Sequence, residues 1–268
     1  FCPTIGELNS MEVLMDLFKL FVQKERLQND LLELAKYGQE PDGGIMRPAL
    51  SEADLDARRW LTQRMRESGL QVHEDEAANI IGRLEPARYT SGASCIATGS
   101  HIDSVPHGGK YDGALGVCAS LEAIRAIKES GIDVPCPIEL LVFTDEEGRH
   151  FAGTLGSRAM FNLLAENEMY TSRIPGQASF AESLKKIGKD PEQIHGAVRS
   201  PSEFLAFLEL HIEQGPLLES LGIPIGVVEG IAGINRYLIR VTGKSGHAGT
   251  TPMGLRDDAL VKAARIVV

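Results

Sequence analysis

Two hydrophobic patterns alternate along the chain and predict its architecture. Short apolar segments predict strands, and they occupy Asn79–Leu84, Cys95–Gly99, Ile138–Phe143 and Phe204–Leu210. Longer segments with apolar residues at helical spacing predict helices, and they occupy Met11–Tyr37, Glu52–Ser68 and Gly113–Glu129. Strands that alternate with helices indicate an α/β fold with a mostly parallel central sheet flanked by helices.

The pattern changes in the last part of the chain. Asn235–Thr242 alternates between apolar and polar residues and predicts a half-exposed strand. Asp257–Val268 predicts an amphipathic helix that has no capping residue at its end, and the chain starts at Phe1 rather than at Met, so both ends look cut. We place a domain boundary near Glu229, which divides the chain into a first domain, 1–229, and the beginning of a smaller α+β domain, 230–268.

Composition narrows the possible functions. The net charge is −10, with no run of Lys or Arg, so there is no electrostatic case for a nucleic-acid partner. No segment has the length of a membrane span. The cysteines are widely spaced, which predicts reduced, mostly buried thiols in a cytoplasmic protein; they are Cys2, Cys95, Cys118 and Cys136.

Polar residues follow each of three apolar strands directly. His101 and Asp103 follow the first, and a metal-binding His is commonly oriented by a carboxylate through its second ring nitrogen. The acidic run 145–147 follows the second strand, and adjacent carboxylates are costly there unless a cation neutralises them. His211 follows the third strand. Because functional groups collect at the carboxyl ends of parallel strands, these residues predict one site.

Each of these motifs also has an ordinary structural interpretation. The glycine-rich loop around Asp112 could hold a helix-capping Asp, the acidic run could be a solvated turn, and His211 could be a core histidine. His247 lies in a Gly/Ser loop, which suits either a mobile neutral donor or a hairpin turn.

Four motifs together resemble one known family. GSHIDSVPHGGKYDGALGV, FTDEEGRHFAGTLGSRAM, ELHIEQGPLLE and GKSGHAGTTPMGLRDDAL are similar to the amidase/carbamoylase branch of the dinuclear-metal aminoacylase–carboxypeptidase superfamily. This branch includes N-carbamoyl-L-amino-acid hydrolases, β-ureidopropionases, allantoate amidohydrolases and ureidoglycolate amidohydrolases. The resemblance implies a metallopeptidase-like catalytic domain, followed by the start of a smaller lid domain that dimerises.

The resemblance also implies a set of metal ligands. His101 and His211 would bind one divalent ion, Glu147 would bind a second, and Asp112 would bridge the two. The peptide bond after Asp112 would be cis. Mixed His and carboxylate ligands suit zinc, manganese, cobalt or nickel, and the resemblance favours zinc or manganese. A final His ligand, together with Asn and Arg substrate contacts, would lie beyond residue 268.

Further roles follow from the same resemblance. Glu146 would be the general base, and Asp103 would orient His101. Gln214 and His247 would contact the substrate, and His247 would also stabilise the oxyanion that develops during the reaction. One residue departs from the family pattern, because His150 stands where an Arg is usual.

The implied reaction is hydrolysis of the ureido C–N bond of an N-carbamoyl-L-amino acid, which releases ammonia and carbon dioxide. Allantoate is the alternative substrate. Two further hypotheses remain at this point: an aminoacylase or dipeptidase on the same scaffold, and a truncated chain that binds a metal without turnover. Residues His211 and Gln214 argue against the peptidase.

Overall fold

Five strands form one sheet in the computed structural model, which describes residues 21–86, 92–233 and 237–267. They are β1 (Gln71–Glu74), β2 (Ile80–Leu84), β3 (Cys95–His101), β4 (Ile138–Phe143) and β5 (Phe204–Leu208), in the spatial order β1-β2-β4-β3-β5. Strands β3, β4 and β5 are parallel neighbours, whereas β2 pairs antiparallel with both β1 and β4. Strand β2 alone therefore opposes the common direction, and the predicted mostly parallel α/β sheet is confirmed.

The described residues form eight α-helices. They are α1 (Lys24–Leu34), α2 (Glu52–Glu67), α3 (Ala114–Ser130), α4 (Leu155–Met160), α5 (Glu166–Met169), α6 (Phe180–Lys186), α7 (Leu217–Leu221) and α8 (Ala259–Val267). Helix α2 starts as its sequence predicts, because the Ser51 hydroxyl accepts the Asp54 N–H at 3.3 Å. It ends before Gly69, which has φ = +85°.

Both faces of the sheet are covered by apolar packing. On one face, Ile80, Leu140 and Val142 pack against buried residues of α2 and α3, such as Leu61 and Leu121. The next residues along the same strands point to the opposite face. There, Ile81 and Leu141 pack with Met160 of α4. Continuous burial on both faces explains why β4 is apolar at every position except Glu139, which is buried and forms ion pairs with Arg83 and Arg199.

Asp30 is a charged residue buried in the helical layer. It lies on α1, is 2% exposed, and accepts hydrogen bonds from Arg125 of α3 and Arg64 of α2. A buried guanidinium that loses its carboxylate partner keeps its desolvation cost without the compensating attraction. The Asp30 ion pairs therefore join three helices at once.

Asp30→Ala is expected to lower the free energy of unfolding by about 3 kcal/mol, because the buried Arg125 loses its hydrogen-bonded carboxylate and keeps only Glu122, at 3.7 Å, as an ion-pair partner. Urea denaturation followed by circular dichroism measures the change. Glu33→Ala on the same helix is the matched control, since its ion pair with Lys36 is exposed and its loss costs less than about 0.5 kcal/mol. Equal losses for the two variants would contradict the structural role assigned to Asp30.

The last part of the chain departs from one prediction. Residues 237–242, the described part of the predicted strand Asn235–Thr242, form no strand, so that prediction is wrong for them. A strand needs a hydrogen-bonding partner, and the described residues from 215 onward contain no strand that could pair with it. The predicted terminal helix is present as α8.

The contacts divide the chain into two compact units, Phe1–Gln214 and Gly215–Val268. This division lies before the predicted boundary near Glu229, which stays a prediction. The beginning of the first predicted helix, 11–20, and Cys2 fall outside the described residues. Cys95, Cys118 and Cys136 are buried thiols. Among the described helices, none has both the length and the apolar character that crossing a membrane requires.

Candidate metal centre

The carboxyl ends of β4, β3 and β5 bring the predicted site residues of the first unit together. His101 is the last residue of β3, the central strand of the three, and the acidic run 145–147 follows β4 directly. His211 comes three residues after the end of β5. The parallel arrangement thus confirms that these residues share one edge of the sheet.

Three of the four predicted ligands converge on one point. Donor atoms of His101, Asp112 and His211 all lie within 4.8 Å of one another. Asp112 Oδ1 is 3.9 Å from His101 Nε2 and 3.4 Å from His211 Nε2, and the two imidazole rings stack with centroids 6.0 Å apart. Two imidazole nitrogens with a carboxylate oxygen are a donor set that fits zinc, manganese, cobalt or nickel.

Backbone carbonyl groups fix the tautomer of both histidines. His101 Nδ1 lies 3.0 Å from the Asp103 carbonyl, and His211 Nδ1 lies 2.9 Å from the Ile212 carbonyl. A carbonyl oxygen only accepts, so each Nδ1 carries the proton and donates it. In the neutral ring, each Nε2 therefore carries the lone pair on the side that faces Asp112, which is the arrangement that a metal ligand requires.

Gly113 allows the chain to pass beneath His101. A Cβ at this position would lie only 2.4 Å from His101 Nε2 and 2.5 Å from two carbons of the ring. The residue also has φ = +61°, a conformation that a glycine adopts without strain. The predicted cis bond after Asp112 is wrong, because the described residues contain no cis peptide. The positive φ of Gly113, with ψ = −44°, instead turns the chain into α3.

Asp103 forms hydrogen bonds both with the acidic turn and with His101. Its two carboxylate oxygens accept the backbone N–H groups of Glu146 and Glu147, at 3.2 and 3.1 Å. His101 Nδ1 donates to the Asp103 backbone carbonyl, while the Asp103 carboxylate lies 3.6 Å from the same nitrogen. Asp103 therefore links the end of β3 to the turn that follows β4.

The acidic surroundings perturb the titration of the site. Burial alone would lower the pKa of His101, but the neighbouring carboxylates, Asp103 first, outweigh it and raise the pKa to about 9. Burial, reinforced by Asp112 and Asp103, raises the pKa of Glu147 to about 7. Burial also raises the pKa of Glu146. Crowded carboxylates of this kind favour a cation, whether a proton or a metal ion.

The acidic turn carries the predicted general base, Glu146, and the fourth predicted metal ligand, Glu147. Glu146 Oε2 is 3.9 Å from His101 Nε2, so the predicted general base faces the same point as the ligands. Glu147 is not one of the three residues that meet within 4.8 Å. Its assignment to a second metal ion stays a prediction.

The predicted substrate contacts have local partners in the structure. The Gln214 amide donates to both oxygens of Asp112, at 3.2 and 2.9 Å, so it braces a candidate ligand. His247 belongs to the second unit, and its Nδ1 accepts the N–H groups of Gly249 and Thr250 at 3.1 and 3.2 Å. A neutral His247 therefore carries its proton on Nε2.

Two other histidines have environments outside this centre. His107 Nδ1 is 2.9 Å from Glu40 and 2.8 Å from Asp42, in an exposed cluster of potential ligands. His150, which replaces the usual Arg, is half-buried and packs edge-on against Phe151 at 6.1 Å. Burial lowers the pKa of His150. Packing thus accommodates the departure from the family pattern.

One hydrogen bond that the sequence motifs did not indicate ties the two histidine-bearing segments together. The Ser100 hydroxyl donates to Glu209 Oε1 at 2.5 Å. Ser100 precedes His101 and is buried, while Glu209 lies two residues before His211. The only sequence signal was a polar residue beside each histidine, which does not specify a pair.

Residues 97–268 match peptidase family M20/M25/M40, and the chain belongs to this family. It is 42% identical over 247 residues to an N-carbamoyl-L-amino acid amidohydrolase from Geobacillus stearothermophilus, covering 92% of this chain and 60% of that protein. An allantoate amidohydrolase from Bacillus subtilis is 36% identical over 250 residues, with 91% and 60% coverage. The chain therefore spans about 60% of the length of these curated relatives.

A solved structure supports the same family assignment. A hydantoinase/carbamoylase family amidase from Burkholderia ambifaria superposes with a TM-score of 0.75 at 32% identity. The match covers 92% of this chain and 60% of the amidase. The family resemblance and the α/β fold inferred from the sequence are thus both confirmed.

Proposed function

We propose that the whole protein is a metal-dependent amidohydrolase that cleaves the ureido C–N bond of an N-carbamoyl-L-amino acid, releasing ammonia and carbon dioxide. The observation that carries the proposal is the convergence of His101, Asp112 and His211, with the Glu146 carboxylate 3.9 Å from His101 Nε2. The identity to an N-carbamoyl-L-amino acid amidohydrolase supports this choice of substrate.

His101 and His211 would hold a divalent ion through Nε2, and Asp112 would hold it through a carboxylate oxygen. Glu147 would serve a second ion that Asp112 shares. When bound, such ions act as Lewis acids that activate water and polarise the ureido carbonyl group. We propose zinc or manganese for both positions, and cobalt and nickel suit the same ligand types.

Glu146 would move the protons of the reaction. Its side chain is 39% exposed, so it reaches solvent and substrate, and its backbone is anchored by Asp103. In this role Glu146 takes the proton of the attacking water and returns it to the leaving nitrogen. Burial raises its pKa from the usual value for Glu, which makes it a stronger base.

Gln214 and His247 complete the proposed machinery. His247 would donate its Nε2 proton to the developing oxyanion, and its local hydrogen bonds support the tautomer that this role needs. Gln214 would contact the substrate beside Asp112. We further propose a homodimer formed through the second unit, in the cytoplasm.

The alternative substrate is allantoate, which the identity to an allantoate amidohydrolase favours. Both candidates carry a ureido group, so the metal-ligand geometry does not separate them. Side-chain recognition must therefore decide between the two substrates.

The full-length, Mn²⁺-loaded protein is expected to release ammonia from an N-carbamoyl-L-amino acid faster than from allantoate or ureidoglycolate. Removal of the metal with EDTA is expected to abolish turnover, and added Mn²⁺ or Zn²⁺ is expected to restore it. Ammonia release measured on all three substrates gives the ranking. If only an N-acetyl amino acid or a dipeptide is hydrolysed, the aminoacylase or dipeptidase alternative replaces the proposal.

A further inference from the structure

Asn79 is a fully buried amide beneath the acidic turn. It precedes β2 and has no solvent exposure. Its Oδ1 accepts the Thr144 N–H at 3.0 Å, while its Nδ2 donates to Asp75 Oδ2 at 2.8 Å and to the Gly156 carbonyl at 3.0 Å. Both ends of the amide are thus engaged, and we call these four residues the Asn79 clamp.

The Asn79 clamp holds both ends of the segment that carries Glu146 and Glu147. Thr144 follows β4 directly, and Gly156 lies in α4 beyond the acidic turn. The two ends also bond to each other, because the Gly156 N–H donates to the Thr144 carbonyl at 2.8 Å. One side chain, from the residue that precedes β2, therefore closes the base of the loop 144–156.

The fit of the Asn79 clamp leaves no spare room. A Cβ on Gly156 would lie 2.0 Å from Asn79 Oδ1 and 2.5 Å from the Thr144 nitrogen. Asp75 is itself buried and also accepts the N–H groups of Ala77 and Asn79, at 3.0 and 2.8 Å. Movement of the amide would thus break several buried hydrogen bonds and leave their donors and acceptors without partners.

A second contact fixes the same strand end. The Thr144 hydroxyl donates to the Ala78 carbonyl at 2.8 Å, and the buried Arg58 guanidinium donates to that carbonyl as well. The residue before Asn79 is therefore held against Thr144 independently. Together with the bonds from Asp103 to Glu146 and Glu147, these contacts fix the turn at its base and at its tip.

We propose that Asn79 is a positioning residue that sets where Glu146 and Glu147 stand relative to His101. The inference rests on the proposed function, since it assigns those two carboxylates to proton transfer and metal binding. The Asn79 side chain acts on the loop through Thr144 and Gly156, which are its two hydrogen-bond partners there. Its third partner, Asp75, lies outside the loop. A displacement on the order of 1 Å at the base of such a loop is enough to misplace a catalytic group.

The test compares Asn79→Ala and Asn79→Asp with Asn29→Ala in the full-length, Mn²⁺-loaded protein. Asn79→Asp keeps the size of the side chain and the acceptor for Thr144 but loses the two donated hydrogen bonds. Asn29 is the matched control, because it is exposed on α1. Each variant is first melted, and kinetics are then measured well below its Tm.

Both Asn79 variants are expected to lose about 10- to 100-fold in kcat, with little change in KM. Their Mn²⁺ affinity in equilibrium dialysis is expected to fall by about tenfold, because Glu147 moves with the loop. Asn29→Ala should match the wild type in both measurements. A merely structural residue would instead lower activity in proportion to the unfolded fraction and leave the metal affinity of the folded protein unchanged.

Several outcomes would overturn the inference. A folded Asn79 variant with wild-type kcat and Mn²⁺ affinity would do so, as would activity that only tracks the folded fraction. Failure of both variants to fold would show that Asn79 supports the whole domain rather than the loop. If the wild type binds Mn²⁺ but hydrolyses no ureido substrate, the proposed function fails, while the dialysis comparison still decides the role of Asn79.

Discussion

Glu146→Gln is expected to lower kcat for ureido hydrolysis by about 10²- to 10⁴-fold, with metal content unchanged. Glutamine has nearly the same shape but cannot take a proton from water. The turn itself should persist, because Asp103 holds residue 146 through its backbone N–H. Ammonia release gives kcat, and elemental analysis of the dialysed protein gives the metal content.

The matched control is Glu219→Gln on the exposed surface of α7, which should keep wild-type kcat. The pH profile offers a second check. Burial, then Asp103, raises the pKa of Glu146, and a general base must be deprotonated to act. Activity of the wild type should therefore fall as the pH drops through that raised pKa. Turnover of Glu146→Gln within threefold of wild type would remove Glu146 from the mechanism.

Gly113→Ala is expected to weaken metal binding by about 10- to 100-fold, because the new methyl group meets the His101 ring at 2.4–2.5 Å. The ring cannot yield without breaking the bond from its Nδ1 to the Asp103 carbonyl. Stability should fall as well, since the substitution adds steric overlap to backbone strain. Equilibrium dialysis and thermal melting measure the two effects.

Helix α3 supplies the control for this prediction. Gly131 stands at the other end of the same helix with φ = +72°, close to the φ = +61° of Gly113, but its Cβ would meet nothing within 4 Å. Gly131→Ala therefore places an alanine at a positive φ without the contact to His101, at a cost of about 1 kcal/mol. Similar metal affinities for Gly113→Ala and Gly131→Ala would show that backbone conformation, rather than the His101 contact, is what matters.

The site residues at the strand ends could be predicted from the sequence, because each apolar segment is followed directly by polar residues. Periodicity placed His101 at the end of β3 and the acidic run after β4, and the parallel sheet brought them together. The motif resemblance assigned His211 and Asp112 to the same centre, and their donor atoms do meet there. At these positions, the local sequence pattern and the pairing of the strands place the residues at the same site.

Other features depend on contacts that no local pattern encodes. Asn79 is one polar residue before a strand, and only the fold shows that its partners are Thr144 and Gly156, 65 and 77 residues away in sequence. The alternation in Asn235–Thr242 predicted a strand, but alternation specifies a face and not a partner. The tautomers of His101 and His211 likewise depend on where carbonyl groups fall in space.

The side-by-side pairing of β3 with β5 has a further consequence for how such a protein diversifies. Neighbouring strands are held about 4.8 Å apart by the backbone itself, and His211 lies only three residues beyond β5, so the gap between the two imidazoles is set by the sheet and by the short segment 209–211. Loops beyond Gln214 can lengthen or change character while this gap stays constant. In the proposed amidohydrolase, the hydrolytic reaction and the choice of amide are thereby separable by mutation, and a new specificity would not require new metal ligands.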